Sequence, residues 1–138
     1  CTSLTEAPQL HATTLAKSCY SEMFYGCTNL TEAPQLSATT LAESCYSSMF
    51  YGCTSLTEAP ELPARTLTNY CYSYMFQGCS KLNYITMLAI DISAKNCLSN
   101  WVSGVALSGT FVKNVNMTTS TSGTSGIPKG WTIQNYSA

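Results

Sequence analysis

Residues 27–52 read CTNLTEAPQLSATTLAESCYSSMFYG, and the chain writes variants of that line three more times. Residues 1–26 (CTSLTEAPQLHATTLAKSCYSEMFYG) depart from it only at Ser3, His11, Lys17 and Glu22, where the second copy has Asn29, Ser37, Glu43 and Ser48. Residues 53–78 (CTSLTEAPELPARTLTNYCYSYMFQG) drift further. Residues 79–104 (CSKLNYITMLAIDISAKNCLSNWVSG) share with the third copy only Cys79, Leu82, Leu88, Cys97, Ser99 and Gly104. One such unit is too short to bury its own Leu, Met and Phe, so the units must stack and bury them against one another. The six survivors mark the positions the stack needs most.

Within a unit, two halves differ in pattern. Leu4, Leu30, Leu56 and Leu82 sit in a Thr-rich, β-favouring stretch that Pro8, Pro34 and Pro60 end in the first three copies, which predicts a strand of three or four residues. In LAESCYSSMF (41–50), Leu41, Cys45 and Met49 form one stripe at i, i+4 spacing, and Ala42, Tyr46 and Phe50 another. Thr40 with Glu43 fits a capping box, and Gly52 stands where a helix ends in a left-handed residue, so this half is expected to be a short helix. A unit of this length lies in the roughly 20–29-residue range of leucine-rich repeats. The expected fold is therefore an α/β leucine-rich-repeat solenoid: four right-handed strand–helix coils (1–26, 27–52, 53–78 and 79–104) with a parallel sheet, forming the region 1–104.

The period fails after Gly104. Residues 110–113 and 131–134 alternate as strands do, separated by a Ser/Thr/Gly stretch at 118–126, and 105–138 is expected to form a β-rich C-terminal cap. Nothing comparable precedes Cys1, which opens within a repeat. That predicts an N-terminal end continuing into further sequence.

Composition narrows the function. Charged residues are only 9% of the chain and the net charge is −1, so hydroxyls must wet the surface and no basic footprint for nucleic acid exists. No apolar run approaches the roughly 20 residues of a membrane span. The cysteines fall at two repeat positions, Cys1, Cys27, Cys53, Cys79 and Cys19, Cys45, Cys71, Cys97, without the close ligand pairs that zinc requires. Reduced, buried packing ladders are favoured over disulfides, because Cys packs as a small hydrophobe and identical residues recur once per coil. Leu4, Leu30, Leu56 and Leu82 form a matching ladder. No metal and no cofactor are expected. His11 belongs to one unit alone, its equivalents being Ser37, Pro63 and Ala89, and reads as surface. Glu6, Glu32 and Glu58 would stack about 5 Å apart along one strand edge, repelling by about 0.8 kcal/mol in water; a solvated row is favoured over a weak cation site. Tyr20, Tyr46 and Tyr72 read as core, and Tyr25, Tyr51, Tyr70 and Tyr74 as outward-facing.

The Cys-x-x-Leu opening, the Met-Phe-x-Gly-Cys junctions at Met23–Cys27, Met49–Cys53 and Met75–Cys79, and the period resemble the BspA-like leucine-rich repeats of bacterial surface proteins. Gly-Thr-Phe-Val-Lys-Asn (109–114) through Gly-Ile-Pro-Lys-Gly-Trp-Thr (126–132) is similar to the terminal segment of those proteins. The resemblance implies a secreted or cell-surface protein that contacts a host or environmental protein or glycan in adhesion. It brings no catalytic residues, and no nucleophile–base geometry is legible in the repeats, so no enzyme is expected. The expected ligand-binding positions are Thr5, Glu6, Thr31, Glu32, Thr57 and Glu58. The alternative is a structural spacer, or a fibre segment of a surface appendage or phage tail, with no ligand of its own.

Overall fold

The computed structural model describes residues 3–10, 12–117 and 122–136; Cys1, His11 and the first part of the Ser/Thr/Gly stretch lie outside them. Residues one unit apart lie side by side. Glu6 pairs with Glu32, Leu10 with Leu36 and Thr14 with Thr40, each as a single parallel bridge.

The half expected to be helical is not a helix, and no helix occurs among the described residues. From Ala16 to Cys27 the backbone is a run of tight turns. The N–H groups of Cys19, Ser21, Met23, Tyr25 and Cys27 each return to the carbonyl three residues earlier, at 3.1–3.2 Å. The alternate N–H groups, of Ser18, Tyr20, Glu22, Phe24 and Gly26, leave the coil and bond the carbonyls of Glu43, Cys45, Ser47, Met49 and Tyr51 at 2.7–3.0 Å. The same five-bond junction joins the second coil to the third (Ser44, Tyr46, Ser48, Phe50, Gly52) and the third to the fourth (Tyr70, Tyr72, Tyr74, Phe76, Gly78).

This run turns once every four residues, and the inward stripes require that. On an α-helix of 3.6 residues per turn, Leu41, Cys45, Met49 and Cys53 would fan out over about 120°. With a strict four-residue rhythm they stay on one line, and all four are buried. The expected capping box also dissolves: Thr40 bridges Thr14, while the Glu43 carboxylate reaches Lys17 at 3.5 Å. The rhythm demands a left-handed residue every fourth position. Ser44 and Ser48 have φ of 56° and 55°, Tyr70 and Tyr74 have 60° and 56°, and Gly52 completes its series at 75°. Non-glycine residues pay about 1–2 kcal/mol each for this, offset by the five N–H bonds each spiral sends to the next coil.

A stability measurement separates spiral from helix. In a helix, Ser44→Gly and Ser48→Gly would each cost up to about 1 kcal/mol. In the turn spiral, glycine relieves left-handed strain against about 0.5–1 kcal/mol of added chain entropy. The double variant is expected to match or slightly exceed the parent in urea unfolding. A loss of about 2 kcal/mol would restore the helix.

The strand half is also sparser than expected. Among the described residues only three strands form: β1 (Tyr84–Met87), β2 (Thr110–Lys113) and β3 (Thr132–Asn135), a parallel sheet in the order β1-β2-β3. Tyr84 pairs with Thr110, and Thr110 with Thr132. The earlier coils contribute single bridges, because Pro8, Pro34 and Pro60 interrupt any longer ladder. An α/β leucine-rich-repeat solenoid of strand–helix coils is thereby overturned. The chain instead stacks turn-rich coils. Within the region expected to form a β-rich cap, 105–138, β2 and β3 extend the parallel sheet begun by β1 in the fourth coil. Leu88, one of the six residues the third and fourth copies share, is displaced: Leu62 bridges Met87, 25 residues on, and Met87 is buried where Leu88 is only half-buried. Between Tyr84 and Met87 the fourth coil is one residue short, and it regains register by Lys95, whose carbonyl accepts from Tyr70.

Aromatic columns fill the core. Phe24, Phe50 and Phe76 stack at 5.6 Å, and Tyr20, Tyr46 and Tyr72 at 6.0–6.1 Å. Trp101, at the position of Met23, Met49 and Met75, closes both columns. Its ring lies 6.1 Å from Tyr72 and 5.9 Å from Phe76 and meets Phe111 of β2 edge-on. Leu98 and Val102 replace the Tyr and Phe of that coil, leaving room for the larger indole.

Candidate ligand-binding face

The Thr and Glu singled out in the sequence stand on one face because they precede the prolines at the same point of each coil. Thr5, Glu6, Thr31, Glu32, Thr57 and Glu58 are all exposed. Thr31, Glu32, Thr57 and Glu58 line a single groove of about 470 Å³ together with Pro60 and Glu61. Thr5 and Glu6 lie one rung outside it. Glu6 bridges Glu32, and the Thr31 N–H and hydroxyl both donate to the Thr5 carbonyl, at 3.0 and 3.3 Å. The coils thus bring four of the six expected residues into one cavity and place two beside it.

Sequence reasoning missed Glu61 and the change of chemistry further along the row. Glu61 stands where the first two coils have Gln9 and Gln35, a substitution that was legible in the repeats. One rung beyond Glu58 lies Tyr84, 36% exposed, which bridges Glu58 through the backbone and brings a ring in place of a carboxylate. Asn83 takes the place of the Thr column, its N–H bonded to the Thr57 carbonyl at 2.9 Å. The face therefore passes from carboxylates and hydroxyls to an amide and a phenol ring. No lysine or arginine lines the groove. No cluster of three or more His, Cys, Asp or Glu among the described residues is arranged to hold a metal ion.

The other ladders are structural in their surroundings. Leu30, Leu56 and Leu82 are fully buried, and Leu4 at the end of the column is partly so. Cys27, Cys45, Cys53, Cys71, Cys79 and Cys97 are buried free thiols, and Cys19 is an exposed one. The Cys53 and Cys79 thiols donate to the carbonyls of Phe24 and Phe50 at 3.2 and 3.0 Å, tying a turn to the coil before it. Burial pushes Cys45 up to about 11 and Cys53 and Cys71 up to about 12, and it raises Cys79 as well. A thiol held neutral in this way is a packing group and a poor nucleophile. Tyr46 and Tyr72 are buried, Tyr20 half-buried at the column's end, Tyr25 and Tyr74 exposed, and Tyr51 and Tyr70 intermediate.

Among the described residues no helix is long and apolar enough to cross a membrane. Compared with protein families, curated proteins and solved structures, the chain matches none.

Proposed function

We propose that the Thr/Glu face is the ligand-binding surface of an extracellular or cell-surface binding module, and that its ligand is a neutral, hydroxyl-rich glycan. The groove carries the reading. Glu32, Glu58 and Glu61 supply acceptors for sugar hydroxyls, Thr31 and Thr57 supply donors and acceptors, and the lining has no cation to hold an acidic group. Tyr84, exposed on the next rung, offers a ring with an apolar face and a polar tip. A stacked column presents such groups at fixed spacing, so little ordering is left for the ligand to drive. The sequence resemblance to bacterial adhesion proteins points the same way. Binding without catalysis is the reading because the carboxylates recur in like surroundings, whereas acid–base work needs two that differ.

The test is a screen of neutral and acidic glycans and of matrix proteins, followed by titration calorimetry on any hit. Replacing Glu32, Glu58 and Glu61 together by Lys is expected to weaken a neutral-glycan hit at least tenfold, about 1.4 kcal/mol, while unfolding stays near the parent because all three are exposed. Undiminished binding with the row reversed in charge would remove the face from consideration. A spacer role draws on the unbroken five-bond junctions, which make a stiff column; it predicts that no ligand emerges from the screen.

A further inference from the structure

On the strand half, the junctions between coils are not alike. Glu6, Leu10 and Thr14 bridge the second coil, and Glu58, Leu62 and Thr66 bridge the fourth. Among the described residues no such bridge joins the second coil to the third, although the five bonds of the spiral half are intact there. Two cavities open along that one junction. The first is the Thr/Glu groove. The second, of about 330 Å³, lies further along the same two coils, between Thr39, Thr40 and Leu41 of the second and Pro63, Arg65 and Thr66 of the third.

The repeat changes its letters at this junction. Between 27–42 and 53–68 the third coil differs from the second at five positions: Ser55, Glu61, Pro63, Arg65 and Thr68. All five act here. The Ser55 and Thr68 hydroxyls donate back to the Thr28 and Ala42 carbonyls at 2.7 and 2.9 Å and clamp the two ends of the unbridged stretch. Pro63 brings no N–H where Ser37 has one, so it cannot donate back to the second coil. Glu61 lines the groove and Arg65 the second cavity. The backbone of Arg65 is held by the fourth coil, its carbonyl accepting the N–H groups of Ile90 and Asp91 at 2.8 and 3.4 Å. Its guanidinium enters no ion pair among the described residues, and the Asp91 carboxylate accepts the Ser93 N–H at 2.9 Å.

We propose that this second cavity is a binding site for a uronic acid residue of an acidic glycan, separate from the Thr/Glu groove. The guanidinium offers paired donors in the planar fork that a carboxylate fills with both oxygens. A single cation matches a singly charged carboxylate, whereas a phosphate group carries nearer two charges and would leave one unmatched. The Thr39, Thr40 and Thr66 hydroxyls line the same cavity and serve sugar hydroxyls as donors and acceptors. Leu41 and Pro63 give it an apolar wall for the C–H face of a sugar ring. Its volume falls at the lower end of the usual range for small-molecule sites, about 300–1,000 Å³. The groove is tested through Glu32, Glu58 and Glu61 and this cavity through Arg65, so failure of either leaves the other standing.

Titration calorimetry of the intact chain decides, with a trisaccharide of glucuronic acid, its carboxyl-reduced neutral counterpart, sodium acetate and inorganic phosphate as probes. Only the first is expected to bind saturably. Arg65→Met keeps much of the side chain's bulk and should weaken that binding at least about tenfold, as the loss of a charge-assisted bond does. Arg65→Lys keeps the charge without the fork and should weaken it less. Arg65 is exposed, so both variants should keep the parent's urea midpoint. Absence of saturable trisaccharide binding, equal binding of the reduced form, or undiminished binding by Arg65→Met would each overturn the proposal. Acetate or phosphate binding as tightly as the trisaccharide would overturn it too, by showing an anion contact without sugar recognition.

Discussion

Trp101→Ala is expected to destabilise the protein by about 3–5 kcal/mol, the usual range for truncating a buried large aromatic, measured by guanidinium unfolding. The indole is fully buried and closes both aromatic columns, and it also meets Phe111 of β2. Its Nε1–H donates to the Gly126 carbonyl at 2.8 Å, so truncation opens a cavity and orphans a buried acceptor at once. The damage should be uneven. The coils keep their five-bond junctions, whereas residues 105–136 depend on Trp101 and on Trp131, whose indole N–H donates to the Ala106 carbonyl at 2.8 Å. Hydrogen exchange in the variant should therefore show amides of β2 and β3 opening before those of residues 44–52. A loss below about 1 kcal/mol, an ordinary value for a surface change, would mean that the indole does not join the two parts.

Alkaline pH is expected to unfold the chain through its thiols. Unfolded cysteine ionises near about 8.5, whereas burial holds Cys45 to about 11 and Cys53 and Cys71 to about 12. Between these values the unfolded chain has released protons that the folded chain retains, so stability falls as pH rises. It is fully present below the unfolded value and lost progressively up to the folded one. Each thiol contributes up to about 1.4 kcal/mol per pH unit, or about 4 kcal/mol per unit for the three together. Against a typical total of about 5–15 kcal/mol, the column should be largely unfolded by about pH 11. Tyr46 and Tyr72, whose hydroxyls burial also raises, add to the slope above their ordinary range. Guanidinium midpoints at pH 8, 9.5 and 10.5 give the slope, and Cys45→Ala with Cys71→Ala should reduce it. A midpoint that stays flat across this window would show the thiols to be solvated.

The two halves of each unit were unequally legible. The stripes at 41, 45, 49 and at 42, 46, 50 were visible, but i, i+4 neighbours belong to a helix as readily as to a four-residue spiral. Persistence separates the two. On a helix a step of four moves about 40° round the axis each time, and here it runs on through Cys53 with all four residues buried. A second signal lay at Ser44, Ser48 and Gly52, whose counterparts in the fourth coil are Asn96, Asn100 and Gly104, residues that tolerate left-handed backbone. The match of Leu88 to Leu62 in the aligned copies misleads because register there comes from Met87 bridging Leu62, a one-residue slip that preserves burial and leaves no trace in the aligned letters.

The candidate face shows the same division. That Thr and Glu recur before each Pro, and so share a side of the stack, was readable from the letters. That Glu61 and Pro60 shape a groove with Glu32 and Glu58 depends on how the second and third coils meet, and that Tyr84 stands on the next rung depends on the third and fourth.

By itself the sequence determined the period, the residues that form columns, the low charge and the absence of close metal-ligand spacing, since these arise from composition and recurrence alone. Tertiary structure decided where the backbone hydrogen bonds go. A stretch of ten residues is too short to hold a helix on its own, and once a neighbouring coil offers a row of carbonyls, sending alternate N–H groups across the junction satisfies every donor while keeping the inward side chains in line.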